Sequence, residues 1–210
     1  MEAARAIALE SGVASVTLTA VAHRAGVHHS AVRRYFSSHQ EVLLHLAAEG
    51  WTRWAVTISE GVRGPGPMTP RRVAEALADG LAADPLFCDL LANVPVHLEH
   101  AVNMDRLVDF KEVTRAAIMS IADSIENALP ALGRQGALDT LTAANALAAT
   151  LWQVTHPPEA LAQAYAEGQA IPPDWNLEFL PALARLLTAT CAGLMASATA
   201  IDSNQGSDKS

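Results

Sequence analysis

Residues 17–38 read TLTAVAHRAGVHHSAVRRYFSS and predict two short helices joined by a glycine turn. Such helices can cross at roughly a right angle when three positions cooperate. A small residue must lie where the helices touch, a glycine must allow positive φ in the turn, and an apolar residue of the second helix must enter the core. Ala22, Gly26 and Val32 supply these residues at offsets of four and six. The pattern is typical of a helix-turn-helix.

The outward face of the second helix is polar and cationic. A step of about 100° per residue from Val32 brings Tyr35 and Phe36 close to the buried side. The opposite and flanking positions hold Ser30, Arg33 and Arg34. The first residues of a helix in the major groove usually meet base edges, and arginine binds guanine or phosphate. This face is therefore suited to contact DNA.

The rest of the chain also predicts helices, separated by glycine, proline and polar breaks. Three helices are predicted from their caps: Leu18–Ala25 after the N-cap Thr17, a long helix to Gly61 after the capping box of Ser37-Ser38 and Glu41, and a helix to Leu129 after the N-cap Asn103. The other predicted helices are Glu2–Ser11, Val27–Phe36, Pro70–Ala83, Pro85–Asn93, Ala137–Thr155, Glu159–Gly168 and Asn176–Ile201. We expect an all-α fold with a small domain over residues 1–50, a larger domain over 51–201 and a disordered polar tail over 202–210.

Charge is distributed unevenly along the 210 residues, whose net charge is −8. Residues 1–54 hold five arginines against four glutamates, a net charge of +1, and five of the eight histidines. Residues 55–210 carry a net charge of −9. Only the first part is suited to approach a phosphate backbone.

The sequence favours a cytoplasmic protein that is not inserted in a membrane. Nothing near the N-terminus resembles a signal peptide. Two widely separated cysteines, Cys88 and Cys191, indicate core thiols rather than a disulfide scaffold. The longest strongly apolar run, Leu186–Ile201, is shorter than the roughly 20 residues of a membrane helix, so it predicts a packing helix.

The helix-turn-helix and its surroundings strongly resemble the DNA-binding domain of the tetracycline-repressor family of bacterial transcription regulators, over roughly residues 2–50. The resemblance implies a three-helix N-terminal domain and a larger helical domain for ligand binding and dimerisation. It also implies a double-stranded DNA operator as partner. This sequence has His28 where the family commonly has Ser or Thr, Arg33 where it has Tyr, and His39 where it has Lys.

The candidate DNA-binding residues surround the predicted recognition helix. They are Thr17, Thr19, His28, His29, Ser30, Arg33, Arg34, Tyr35 and His39.

A small, largely apolar effector is the ligand that the resemblance implies. Large rings with a few polar groups are what such a cavity requires, although any helical core uses the same residues. The candidate ligand-binding residues are Phe87, His97, His100, Asn103, Met104, Phe110, Met119, Trp152, Tyr165 and Trp175.

A metal-dependent helical enzyme or a metal sensor is the alternative. His97 and His100 share a helical face and flank Glu99, but no third ligand stands at a readable spacing. The sequence contains no nucleophile elbow or phosphate loop. We therefore expect neither an enzyme, nor a metal, nor a cofactor.

Dimerisation is expected through the helices Ala137–Thr155 and Asn176–Ile201, which carry few charges. Two such helices from each protomer would form a four-helix bundle, with Leu187 and Ala192 at the heart of the surface. A homodimer places two recognition helices about one DNA turn apart, which matches a palindromic operator. The resulting prediction is a homodimeric repressor that a small molecule releases from DNA.

Overall fold

The structure of the protein is a computed structural model that describes residues 1–64, 66–99, 102–169 and 177–207, without the side chains of residues 96, 97 and 199–207. Ten α-helices and no strand occur in these ranges. They are α1 (Glu2–Ser11), α2 (Leu18–Arg24), α3 (His29–Arg33), α4 (His39–Gly61), α5 (Pro70–Ala82), α6 (Pro85–Asn93), α7 (Met104–Ala128), α8 (Gly133–Thr155), α9 (Glu159–Ala166) and α10 (Phe179–Ser207). The all-α fold class is confirmed.

Helices α2 and α3 form the helix-turn-helix. The Thr17 hydroxyl caps α2 by accepting a hydrogen bond from Ala20 N at 3.1 Å. Gly26 has a φ of 67° in the turn, where a residue with a side chain would be strained. Ala22 and Val32 are buried, as the pattern predicts.

Helix α3 is shorter than the predicted Val27–Phe36. His28 has an extended backbone and serves as N-cap, and after Arg33 the chain turns so that Tyr35 N and Phe36 N both donate to Val32 O. The helical rotation of about 100° per residue therefore does not continue to Tyr35. Its side chain is 72% exposed instead of lying near the buried side, so that part of the expectation was wrong.

Helix α4 begins with the predicted cap and runs without interruption past residue 50. Ser38 Oγ accepts a hydrogen bond from Glu41 N, and the Glu41 carboxylate accepts from Ser37 N at 2.8 Å and Ser37 Oγ at 2.6 Å. One side of α4 contacts α7 along much of its length, and the other elements that it contacts include α5 and α6. A single continuous helix thus connects the helix-turn-helix to the larger domain.

The larger domain is a packed set of long helices. Helix α10 packs against α5 and α8, and α8 also packs against α6 and α7. Helix α8 begins at Gly133, earlier than the predicted Ala137, because the short turn Pro130–Leu132 leads directly into it. The buried faces of these helices form one continuous core with α4.

Helix α10 begins at Phe179, three residues after the predicted start at Asn176, and extends beyond its predicted C-terminal end at Ile201. It continues through Ser207, since no proline follows Ile201 and the first glycine is Gly206. Because it begins at Phe179, its segment Phe179–Ala198 is long and apolar enough to cross a membrane by length and composition alone. Core helices of soluble proteins pass the same test, and 28% of this segment is buried within the protomer.

Leu187 lies in the core of the protomer and not on its surface. Its side chain is 0% exposed, whereas Leu186 and Ala192 are exposed on the same helix. The expected position of Leu187 at the heart of a dimer surface was therefore wrong, because α10 turns this side chain into the protomer that contains it.

Candidate nucleic-acid interface and ligand cavity

Most arginines of the first 54 residues are neutralised by carboxylates. The ion pairs join Arg5 with Glu49, Arg24 with Glu10, and Arg53 with Asp84. Arg33 and Arg34 are exposed and have no ion-pair partner in the described part of the chain. The uncompensated positive charge of this domain is therefore concentrated at the end of α3.

His28 takes the capping role at the start of α3. Its Nδ1 accepts a hydrogen bond from Ser30 N at 3.3 Å and lies 2.9 Å from Ser30 Oγ. Because Nδ1 accepts, the neutral ring carries its proton on Nε2. The exposed ring thus offers an N–H donor beside the recognition helix while its other nitrogen holds the helix terminus.

The predicted DNA-binding residues form an almost entirely exposed set around α3. Exposed are Thr17, Thr19, His28, Ser30, Arg33, Arg34, Tyr35 and His39, whereas His29 is half-buried. The Thr17 hydroxyl is used by the α2 cap. Their contacts with DNA stay predictions.

Glu41 connects the helix-turn-helix to the start of α7. Burial is the largest single effect and raises the pKa of this carboxyl, but the hydrogen bonds from Ser37 act against it, and the net effect of all groups lowers the pKa. The positive charge of Arg106 and the backbone N–H of Asn103 lower it further. A single buried carboxylate therefore links the end of the DNA-binding domain with the first turn of α7.

Three aromatic rings fill the space between α4 and α6. The Trp51 ring centroid lies 5.5 Å from that of Trp54 and 5.5 Å from that of Phe87. Phe87 is 1% exposed and does not line the cavity described next. This predicted ligand residue therefore lies in the core.

A cavity of about 280 Å³ lies among α4, α6, α7 and α8. Its apolar lining includes Trp51, Leu91, Phe110, Ile118 and Leu141. Its uncharged polar lining consists of Thr114, Thr142 and Asn145. A larger depression of about 620 Å³ beside residues 59–67 is more open and more polar, and one residue of that loop lies outside the described ranges. The smaller cavity fits an apolar ligand better.

Thr114 and Asn145 are functional candidates that the sequence analysis missed. Each lies four residues after a buried apolar residue, Phe110 on α7 and Leu141 on α8. A polar side chain on the buried stripe of a helix is the signal that would have indicated them. Phe110 is the described member of the predicted ligand set that lines the cavity.

The other predicted ligand residues lie elsewhere. Asn103 caps α7 through Asp105 N at 2.9 Å, and Met104 is 68% exposed. Met119 is exposed, and Tyr165 is half-buried on α9. The Trp152 ring stacks on His156 at 3.6 Å. The side chain of His97, and all of His100 and Trp175, lie outside the described residues.

Glu99, the carboxylate of the metal alternative, already has a partner. Lys111 Nζ lies 2.6 Å from Glu99 Oε1 at the edge of the cavity. Within the part of the chain that the structure describes, no group of three or more histidine, cysteine or acidic side chains is arranged to hold a metal ion.

Both parts of the chain match models of a known family. Residues 1–46 match the model described as bacterial regulatory proteins, tetR family, and residues 48–198 match the model of the tetracyclin repressor-like C-terminal domain. A comparison with curated proteins found no match. The proteins of this family are regulators rather than enzymes. With its helix-turn-helix, its unpaired arginines and the larger helical domain behind them, the chain belongs to the tetracycline-repressor family and is a DNA-binding transcription regulator.

Proposed function

We propose that this protein is a cytoplasmic repressor that binds a palindromic operator as a homodimer and is released by a small, largely apolar molecule. The observation that carries the DNA part is the pair of exposed, unpaired arginines at the end of α3, Arg33 and Arg34. Since the rest of the chain is strongly acidic, this surface is where phosphate would be attracted.

The effector part rests on the 280 Å³ cavity and on Phe110. This buried ring lines the cavity and also a second one of about 200 Å³, which Phe36 and Glu41 border at the end of the helix-turn-helix. An occupant that shifts Phe110 would therefore act on the junction between the two domains. Release requires that the ligand bind more tightly to the conformation in which the two recognition helices are wrongly spaced for DNA.

The dimer part rests on the outward faces of α8 and α10. Val154 and Leu186 are exposed large apolar residues on these helices, and Ala146, Ala189 and Ala192 are exposed small ones. Small residues allow helices to pack closely, so a four-helix bundle would cover both faces.

The experiment that tests this function measures operator binding by Arg33→Ala and Arg34→Ala. The DNA is the region upstream of the protein's own gene, and binding is measured by gel shift over a series of salt concentrations. We expect weaker binding by both variants. If the lost contact is to a phosphate, the slope of the logarithm of the binding constant against the logarithm of the salt concentration should decrease in magnitude by about one. If it is to a base, binding should lose about 1–3 kcal/mol of free energy at one operator position.

Arg71→Ala is the matched control. Arg71 is exposed on α5, far along the chain from the helix-turn-helix, and pairs with Glu75, so the substitution removes the same charge at a different place. Equal binding by the wild type and by both α3 variants would contradict the proposed function.

A further inference from the structure

Two polar atoms at the cavity are buried without a partner. Thr114 Oγ1 and Asn145 Oδ1 make no hydrogen bond to any residue that the structure describes, and both residues belong to the lining of the 280 Å³ cavity. A buried polar group left unpaired is costly, and most such groups in folded proteins are paired. These two atoms indicate where a ligand would complete the hydrogen bonding.

Other polar groups of the lining already have partners. The Thr142 hydroxyl donates to Leu138 O at 2.9 Å. Glu99 and Lys111 pair with each other, which leaves the lining without net charge. A charged molecule would lose its hydration without finding a free counter-ion, so the cavity disfavours it.

The size and lining of the cavity limit the ligand further. A volume of 280 Å³ lies near the lower end of the range of about 300–1,000 Å³ that ligand pockets usually have. Most of the lining is aromatic or aliphatic, including Trp51 and Phe110. The space therefore suits a compact molecule with one ring or a short branched chain.

We infer that the effector is a small, uncharged, mostly apolar molecule that carries a hydroxyl-type group, held by Thr114 and Asn145. A hydroxyl both donates and accepts, so it can donate to the Asn145 carboxamide oxygen and exchange a hydrogen bond with the Thr114 hydroxyl. This inference rests on the proposed function, which places the effector in this domain, and adds the chemical class that the cavity selects.

The test uses probes of the same non-hydrogen atom count and different polarity: 2-phenylethanol, propylbenzene and 2-phenylethylammonium. Isothermal titration calorimetry measures the dissociation constant of each for the full-length wild type, Thr114→Val and Asn145→Leu. The quantity compared is the ratio of the affinity for 2-phenylethanol to that for propylbenzene, because a ratio cancels changes in shape that affect both probes. We expect this ratio to fall about tenfold in each variant, which is the loss of about one hydrogen bond.

Thr142→Val is the matched control, since it removes a hydroxyl of the same cavity that already has a partner. Its ratio should equal that of the wild type. An unchanged ratio in both Thr114→Val and Asn145→Leu, or tighter binding of 2-phenylethylammonium than of 2-phenylethanol, would overturn the inference.

Thermal unfolding of the ligand-free variants gives a second readout. Valine has the shape of threonine and removes the unpaired hydroxyl, so Thr114→Val should unfold at a temperature no lower than the wild type. A clearly lower midpoint would mean that the hydroxyl already has a partner, which would also overturn the inference.

The same probes separate this inference from the proposed function. Calorimetry measures occupancy of the cavity without DNA, and a gel shift with and without 2-phenylethanol measures release. If the protein binds 2-phenylethanol selectively but stays on the DNA, the ligand class is supported and the proposed release is contradicted. If 2-phenylethanol releases the protein from DNA but the affinity ratio is unchanged in the variants, the proposed function is supported and the ligand class is contradicted.

Discussion

A single glycine, Gly50, allows α4 to approach the Phe87 ring of α6 closely. A Cβ atom built at Gly50 would lie 2.2 Å from Phe87 Cδ2, and real Cβ contacts are not that short. Phe87 cannot move away easily, because Trp51 and Trp54 surround its ring. We therefore predict that Gly50→Ala destabilises the protein by about 1–3 kcal/mol, the usual cost of overpacking, measured by urea unfolding.

Gly61, the last residue of the same helix, provides the control. A Cβ there would lie 4.0 Å from the Ala76 Cβ, an ordinary contact. Gly61→Ala should leave stability unchanged or raise it, because alanine favours the helix. If Gly50→Ala were as stable as Gly61→Ala, the ring cluster would have to be looser than its geometry indicates.

At the scale of the element, the start of α4 depends on the charge of Glu41. This carboxylate is 6% exposed and accepts two hydrogen bonds from Ser37. Its pKa is lowered in the folded protein, so its contribution to stability is present above the unfolded pKa and is lost as the pH falls through the folded pKa. The join between the helix-turn-helix and α4 should therefore weaken in acid.

Glu41→Gln tests this dependence. We predict a loss of about 1–2 kcal/mol in the free energy of unfolding at pH 7, because the amide cannot replace both carboxylate acceptors. The difference from wild type should shrink as the pH falls through the lowered pKa of the folded wild-type carboxyl, because that carboxyl then becomes protonated itself. Glu60→Gln, at an exposed position near the other end of α4, is the control. A difference from wild type that does not vary with pH would refute the role of the charge.

At the scale of the whole molecule, the outward face of α10 decides whether two protomers can associate. We predict that Ala192→Glu prevents dimerisation, because the proposed bundle would bury an unpaired carboxylate at a cost of several kcal/mol. A protomer alone cannot hold two recognition helices at a set spacing, so operator binding should be lost too. Sedimentation equilibrium and a gel shift on the same variant measure both effects.

Ala116→Glu, at an exposed position of α7, introduces the same charge elsewhere and should remain dimeric. Leu187→Glu would be a poor test, because the buried Leu187 belongs to the protomer core and the variant would unfold. A folded Ala192→Glu monomer that binds the full operator as tightly as the wild type would show that the spacing of two recognition helices is not needed.

The local pattern of the sequence determined the helix-turn-helix and most of the helix boundaries. Ala22, Gly26 and Val32 identify the motif because steric requirements act within about ten residues, and the caps at Thr17 and Ser38 form as expected because they also depend on near neighbours. The end of α3 was predicted too late, because the chain turns after Arg33, where Tyr35 N and Phe36 N both donate to Val32 O.

Which side chains face the cavity, the core or solvent depends on the packing of helices that lie far apart in the sequence. Phe87 was expected beside a ligand but fills the contact between α4 and α6, whereas Thr114 on α7 and Asn145 on α8 line the same cavity. Leu186 and Leu187 are adjacent residues of the same type, yet only Leu187 is buried in the protomer. Periodicity shows that a helix has an apolar side, but the partner of that side depends on how α5, α8 and α10 pack, and such contacts join residues that are far apart in sequence.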